Sequence, residues 1–282
     1  MRGNAVQAKL THRVDHMADQ MGDHMRFLAV AGLAAALSIS TAPSAMVLAA
    51  APVGATEAHR AAALDLARLI NESNQLEKQV DRMLAGIAAQ GFSSDPNLIA
   101  LQQEYPGADR IFVDAMRPIM MSELALMMPE YNQAIADFFF DRFTQAEIGE
   151  LAVFWRSDAG QALLRSVSSN VDFAATAKEV VAQMENEGPF AISREAVDAD
   201  KKKAVASGVN ALVSQHRVAV MRFGLTPVGR KMAKFVEQKN EIDQKWANRA
   251  VSPEAEARIE REVGGALLAF IEEEDRKRAA AQ

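Results

Sequence analysis

Five methionines lie within residues 116–128, and their type and spacing are the most direct hint of chemistry in the chain. Thioether sulfur is a soft donor that can bind Cu(I), and Met-rich surfaces also accommodate apolar ligands of varied shape. No His or Cys joins the group, and its neighbours include Leu and Ile. Core packing is therefore the preferred interpretation, a flexible groove for a lipid, peptide or partner helix the second, and copper the third. The candidate apolar surface comprises Met116, Met120, Met121, Met127, Met128 and Phe139.

Few other residues have the pattern of a catalytic or metal site. Downstream of residue 55 only His59 and His216 remain, on predicted helices far apart in sequence and without the G-x-S-x-G context of a Ser/His/Asp hydrolase. Motifs for zinc proteases, P-loops and dinucleotide binding do not occur. The chain has no cysteine, which excludes disulfides, thiol nucleophiles and zinc–thiolate sites. We expect no cofactor and no bound metal.

Paired carboxylates leave one enzymatic alternative open. Asp137/Asp141 and Glu147/Glu150 have helical spacing, and such pairs catalyse acid–base or glycosidase chemistry when burial separates their pKa values. Solvated helix faces and caps explain them better, because charged residues are mostly exposed. A carboxylate-dependent hydrolase acting on an envelope polymer is the alternative to a non-catalytic protein.

The N-terminal region predicts export. Arg26 precedes the apolar run 27–37, and no charged side chain occurs from 27 to 56, as in the basic and apolar regions of a signal peptide. Met25 is the preferred start, and the small-residue rule places cleavage after Ala55 or, second, after Ala49. An uncleaved membrane anchor is the alternative, since about 20 apolar residues span a bilayer. Pro43 and the surrounding small residues argue against it.

Cleavage also changes the chemistry that is available. His12, His16 and His24 would be removed with residues 1–55, so we expect no metal role for them. The mature protein is predicted to be periplasmic, to comprise residues 56–282, and to have no membrane span.

Charge argues against nucleic acid as a partner. The 282-residue chain has a net charge of -6 and shows no sustained basic stripe, whereas phosphate binding depends on Lys and Arg. Lys201, Lys202 and Lys203 are the densest basic run, and we assign them to a solvated helix face.

Apolar periodicity predicts an all-α helical bundle with no sheet. The stretch 109–141 is apolar nearly all round, as expected for a buried helix, and Pro118 and Pro129 should kink or break it. Gly188-Pro189 is the main internal break. Residues 56–282 form one predicted domain, or two sub-bundles joined near 188–193. The predicted helices are 57–89, 97–104, 109–141, 144–156, 157–187, 194–224, 227–247 and 253–278.

A sequence motif occurs twice at an offset of 69 residues. The first copy is 154–161 and the second 223–230, and they share F-x-x-[ST]-[DP]-x-G-[QR]. Each predicts a helix-turn-helix corner with a hydroxyl N-cap and a glycine where a neighbour packs closely. We interpret the motif as structural. Its key residues are Phe154, Ser157 and Gly160 in the first copy, and Phe223, Thr226 and Gly229 in the second.

The first copy and its surroundings resemble a bacterial family. Residues 131–164, in which Phe143-Thr144-x-x-Glu147 leads to Phe154-Trp155-x-Ser157-Asp158-x-Gly160, resemble the domain of unknown function 2059 family. Its motif has proline where this chain has Asp158, although Pro227 restores it in the second copy. The resemblance implies an exported helical protein without an established activity.

These observations favour a non-catalytic periplasmic protein that binds an envelope protein or an apolar ligand. An assembly factor that acts through helix packing is a variant of this hypothesis. The oligomeric state is not predicted.

Overall fold

The computed structural model describes residues 53–71, 76–184 and 191–281, and within them every regular element is a helix. This confirms the prediction of an all-α protein without a sheet. The expected signal peptide lies almost entirely outside the described residues, as does the Gly188-Pro189 break. In the described ranges, no helix combines the length and the apolarity that crossing a membrane requires.

The helices follow one another with short connections. They are α1 (Val53–Asn71), α2 (Leu76–Ser94), α3 (Pro96–Glu104), α4 (Ala108–Arg142), α5 (Gln145–Arg156), α6 (Asp158–Asn170), α7 (Ala174–Met184), α8 (Arg194–Ala211), α9 (Ser214–Gly224), α10 (Pro227–Lys234), α11 (Val236–Ala247), α12 (Pro253–Arg258) and, after a π-helical turn Ile259–Val263, α13 (Gly264–Ala280).

Helix α4 is the longest element and packs against helices from both ends of the chain, including α1, α2, α11 and α13. It continues through Pro118 and Pro129, so the expected break does not occur. Both prolines are exposed, as are Asp114 and Ala125, the residues whose carbonyls lose their helical donor. Water can satisfy these carbonyls, and burial of the opposite face offsets the lost hydrogen bonds.

Three predicted helices are each divided in two. The predicted helix 157–187 is interrupted at Phe173, whose φ of 51° is left-handed. The predicted helix 194–224 ends early at Ala211, and Phe235 separates α10 from α11. Neither Pro nor Gly marks these points, and those are the breakers that a sequence shows most clearly.

Capping residues fix the helix starts where the sequence predicts them. Thr144 and Glu147 form the expected capping box, with Thr144 N donating to Glu147 Oε2 over 2.7 Å. Ser157, Thr226 and Ser252 each accept from the backbone N–H three residues on. These bonds satisfy donors that a helix start leaves unpaired.

One cluster of buried apolar side chains runs through the molecule and includes residues of α1 and of α13. Polar side chains also hold the segments that connect the helices in place. Asn248, which follows α11, accepts from Ile192 N over 2.6 Å and donates to Ile192 O over 3.0 Å. The chain just before α8 is thereby held against the end of α11.

Candidate functional site

The most unusual group in the interior is a buried ionic cluster formed by Tyr131, Lys201, Lys239, Asn240 and Asp243. Asp243 is fully buried, and the two lysines are each 2% exposed. The Asp243 carboxylate accepts from Lys201 Nζ at 2.8 Å, from Lys239 Nζ at 2.8 Å and from the Tyr131 hydroxyl at 2.7 Å. Lys201 also donates to Asn240 Oδ1 over 3.2 Å. The cluster therefore joins α4, α8 and α11.

Opposing effects set the pKa values in this cluster. Burial alone would raise the pKa of Asp243, but the ammonium groups of Lys239 and Lys201 outweigh it and leave that pKa below its usual value. Burial lowers the pKa of Lys201, and Asp243 only partly compensates. The pKa of Tyr131 lies well above its usual value because of burial and because the neighbouring Asp243 carboxylate opposes a second negative charge.

A polar network continues from the cluster to the surface. Asn240 Nδ2 donates to Asp198 Oδ1 over 3.3 Å, and Arg194 forms ion pairs with both Asp198 and Glu237. Glu237 is 65% exposed, so the network runs from solvent into the core between α8 and α11. Its three cationic and three anionic side chains balance in charge.

The cluster's geometry favours a role in packing. A buried carboxylate is tolerated when it is paired and its oxygens are hydrogen-bonded, as those of Asp243 are. Its acceptor sites are occupied by the chain's own donors, which fixes α8 and α11 against α4.

The prediction that Lys201 lies on a solvated helix face is wrong, because its side chain is buried in this cluster. Of that basic run only Lys202 and Lys203 are exposed. The available signal lay in α11, whose buried residues have the spacing of an apolar helix face although three are polar. They are Val236, Lys239, Asn240, Asp243 and Ala247.

The Met-rich segment lies in the core. Met116 and Met120 are fully buried, Met127 and Met128 are 6% and 8% exposed, and Phe139 is fully buried. Met121 is partly buried and packs against the same core. These side chains fill the space between α4 and its neighbours and do not present an apolar surface, in keeping with the core-packing interpretation.

The other candidate residues lie at separate places. His59 Nε2 lies 2.7 Å from Phe143 O, and the His59 ring lies 4.6 Å from the Phe140 ring, which places this histidine in a packing contact. Asp137, Asp141 and Glu150 are exposed, and Glu147 caps α5 and pairs with Lys231 at 2.6 Å. Among the described residues, no group of three His, Cys, Asp or Glu side chains is placed to hold a metal.

The two copies of the motif form corners with the same hydrogen bonds. Ser157 Oγ donates to Phe154 O over 2.6 Å and accepts from Gly160 N over 3.2 Å. Thr226 Oγ1 likewise donates to Phe223 O over 2.7 Å, and Gly229 N donates to Thr226 Oγ1 over 3.0 Å. Both corners therefore have the local structure that the sequence predicts.

These corners also contact each other. The Phe154 and Phe223 rings stack, with centroids 3.7 Å apart and planes 4° from parallel. Lys231 of α10 pairs with Glu147 of α5 beside them. Sequence spacing alone does not reveal this contact.

An exposed apolar stripe lies on α9 and its C-cap. It consists of Val218, Met221 and Leu225, which are 46%, 62% and 68% exposed. Their spacing of three and four residues places them on one helix face, while Val220 is buried. An outward face normally carries polar residues, so this α9 apolar stripe is a candidate contact surface.

Comparisons with known proteins give no match. No family model, no curated protein and no solved structure is significantly similar to the chain.

Proposed function

We propose that the protein is a non-catalytic interaction protein of the bacterial envelope, exported to the periplasm, and that it contacts its partner through the α9 apolar stripe. The observation that carries the proposal is the exposure of Val218, Met221 and Leu225 on one face of a helix. Large apolar side chains in a contiguous exposed group are typical of contact surfaces.

The interior supports the same interpretation. The Met-rich segment is buried, and the charged residues of the buried ionic cluster bond to one another. Both features serve the stability of the helical framework. Among the described residues, Leu126, Val153 and Val213 are exposed as well, but only Val218, Met221 and Leu225 follow one another at helical spacing on one face.

Export is tested by expressing the full chain in bacteria, fractionating the cells and sequencing the N-terminus of the periplasmic protein. We expect Thr56 or Ala50 as the first residue. Recovery of the chain in the cytoplasm with residues 27–37 still attached contradicts periplasmic export.

Contact through the stripe is tested with the pair Met221→Ser and Leu225→Ser. The purified protein is mixed with a bacterial envelope fraction and sedimented, and the bound share is measured. We expect the double variant to lose most of its binding. Leu126→Ser is the matched control, because Leu126 is 67% exposed and lies on a different helix, α4. Equal binding by the wild type and the double variant would show that the stripe is not the contact surface.

A further inference from the structure

We infer that the α9 apolar stripe docks on a lipid bilayer with anionic headgroups. This inference rests on the proposed function and names the partner of the same surface. The arguments are the charge of the segment that contains α9, the position of its arginines, and the apolar side chains between them.

The segment 201–236 is basic although the protein is acidic. It contains eight of the 31 Lys and Arg residues and none of the 37 Asp and Glu residues. The sequence as a whole, with its net charge of -6, conceals this asymmetry. A basic region that surrounds an amphipathic helix is typical of proteins that bind at membrane surfaces.

Some of these cations are already used within the fold. Lys201 is buried with Asp243, Lys203 pairs with Asp172, and Lys231 pairs with Glu147. Arg217 donates to the backbone at Leu212 O over 2.9 Å. The three lysine charges are therefore compensated by carboxylates, and Arg217 is only partly exposed.

Arg222 and Arg230 remain on the surface close to the apolar stripe. Arg222 is exposed and lies one helical turn after Val218. Arg230 is also exposed, and its guanidinium donates to Leu225 O over 2.5 Å, which places it directly beside the last residue of the stripe. Arginines at the edge of an apolar stripe can reach headgroup phosphates while the apolar side chains enter the acyl boundary.

A bilayer fits this surface better than the alternatives. Nucleic acid would pair with the arginines but would leave Val218, Met221 and Leu225 exposed to water. The acidic run 272–275 on α13 of a second copy offers negative charge, but none of the large apolar side chains exposed on the described residues lies on α13. Anionic lipid supplies both negative charge and an apolar interior.

The test is sedimentation with lipid vesicles. Protein from the soluble fraction of cells expressing the full chain is mixed with vesicles of equal parts phosphatidylglycerol and phosphatidylcholine, or of phosphatidylcholine alone. We expect binding to the anionic vesicles only, weakening as salt is added. Arg222→Gln and Arg230→Gln should each weaken partitioning about fivefold, and Met221→Ser about tenfold.

Control variants show whether vesicle binding depends on the α9 apolar stripe or on any exposed charged or apolar side chain. Lys78→Gln removes an exposed charge on α2, and Leu126→Ser removes an exposed apolar side chain on α4, so both should bind as the wild type does. Unchanged thermal unfolding of every variant shows that the fold is intact. A Met221→Trp variant should show a blue-shifted emission with anionic vesicles, since the side chain enters the interface.

Two outcomes overturn the lipid assignment. One is equal binding to both kinds of vesicle, or equal loss in the control variants. The other is stripe-dependent binding to the envelope fraction without binding to anionic vesicles, which identifies an acidic protein partner and leaves the proposed function standing. Binding to neither the envelope fraction nor the vesicles contradicts both proposals.

Discussion

Lys201 Nζ lies 2.8 Å from Asp243 Oδ2 in a region that water does not reach, and Lys239 Nζ approaches the same oxygen equally closely. One carboxylate thus compensates two ammonium groups from α8 and α11. Because charges are costly to bury without partners, each of the three depends on the other two.

Asp243→Asn should destabilise the protein by about 3–5 kcal/mol, because it leaves two buried ammonium groups without a carboxylate. Urea unfolding measures the loss. Asp172→Asn is the matched control, since Asp172 pairs with Lys203 at the surface, where an ion pair contributes at most about 1 kcal/mol.

Replacing the charged residues of the buried ionic cluster by apolar ones also tests whether unpaired buried charge causes the loss of stability. Lys201→Met, Lys239→Met, Asp243→Leu and Tyr131→Phe together should recover most of the stability, because no buried charge then lacks a partner. If Asp243→Asn costs no more than Asp172→Asn, the buried ionic cluster is not the structural element described above.

Gly160 and Gly229 should not tolerate alanine. A Cβ at Gly160 would lie 2.2 Å from Phe154 O, and one at Gly229 would lie 2.1 Å from Phe223 O. We expect each substitution to cost about 1–3 kcal/mol, because backbone atoms must move. Thermal unfolding measures both.

Gly149→Ala provides the comparison within α5. Nothing lies within 4 Å of a Cβ there, so alanine should stabilise the helix by about 0.5–1 kcal/mol. A similar loss at all three positions would show that the close approach at the corners is not the cause.

Ionisation of Tyr105 should lower the free energy of unfolding at high pH. Burial and the hydrogen bond from its hydroxyl to Asp275 Oδ1, 3.0 Å long, raise the pKa of Tyr105 to about 12. The unfolded chain loses this proton near the usual value of 10.0, so the folded state binds more protons between the two values. The free energy of unfolding therefore decreases as pH rises through that window.

Tyr105→Phe isolates this contribution. The variant should be less stable at neutral pH by about 1 kcal/mol, and its stability should fall less steeply than that of the wild type between about pH 9 and about pH 11.5. Urea unfolding at a series of pH values checks it. Parallel curves for the two proteins would disprove the link to Tyr105.

Local signals predicted much of the fold. The hydroxyl N-caps at Thr144, Ser157 and Thr226 lie where the sequence places them, because a cap depends on only a few neighbouring residues. The breaks at Phe173 and Phe235 were missed. They depend on how the flanking helices pack, and no local breaker marks them.

The candidate sites were harder to predict for a related reason. Burial of Lys201 and Asp243 runs against the rule that charged residues stay exposed, and it becomes favourable only when residues 42 positions apart meet. The α9 apolar stripe shows the opposite departure from that rule, because its residues are apolar and yet exposed. Val218, Met221 and Leu225 have core spacing, and only the packing of α9 shows which of its faces remains outside.

Asn248 has a topological consequence. By bonding to both the N–H and the C=O of Ile192, it brings together two points of the chain that are 56 residues apart. The polypeptide therefore enters the α8–α11 segment and leaves it at the same place, so the loop is already closed at its base. Since closure entropy grows only slowly with loop length, insertions in the exposed connections of this segment should leave its point of attachment in place.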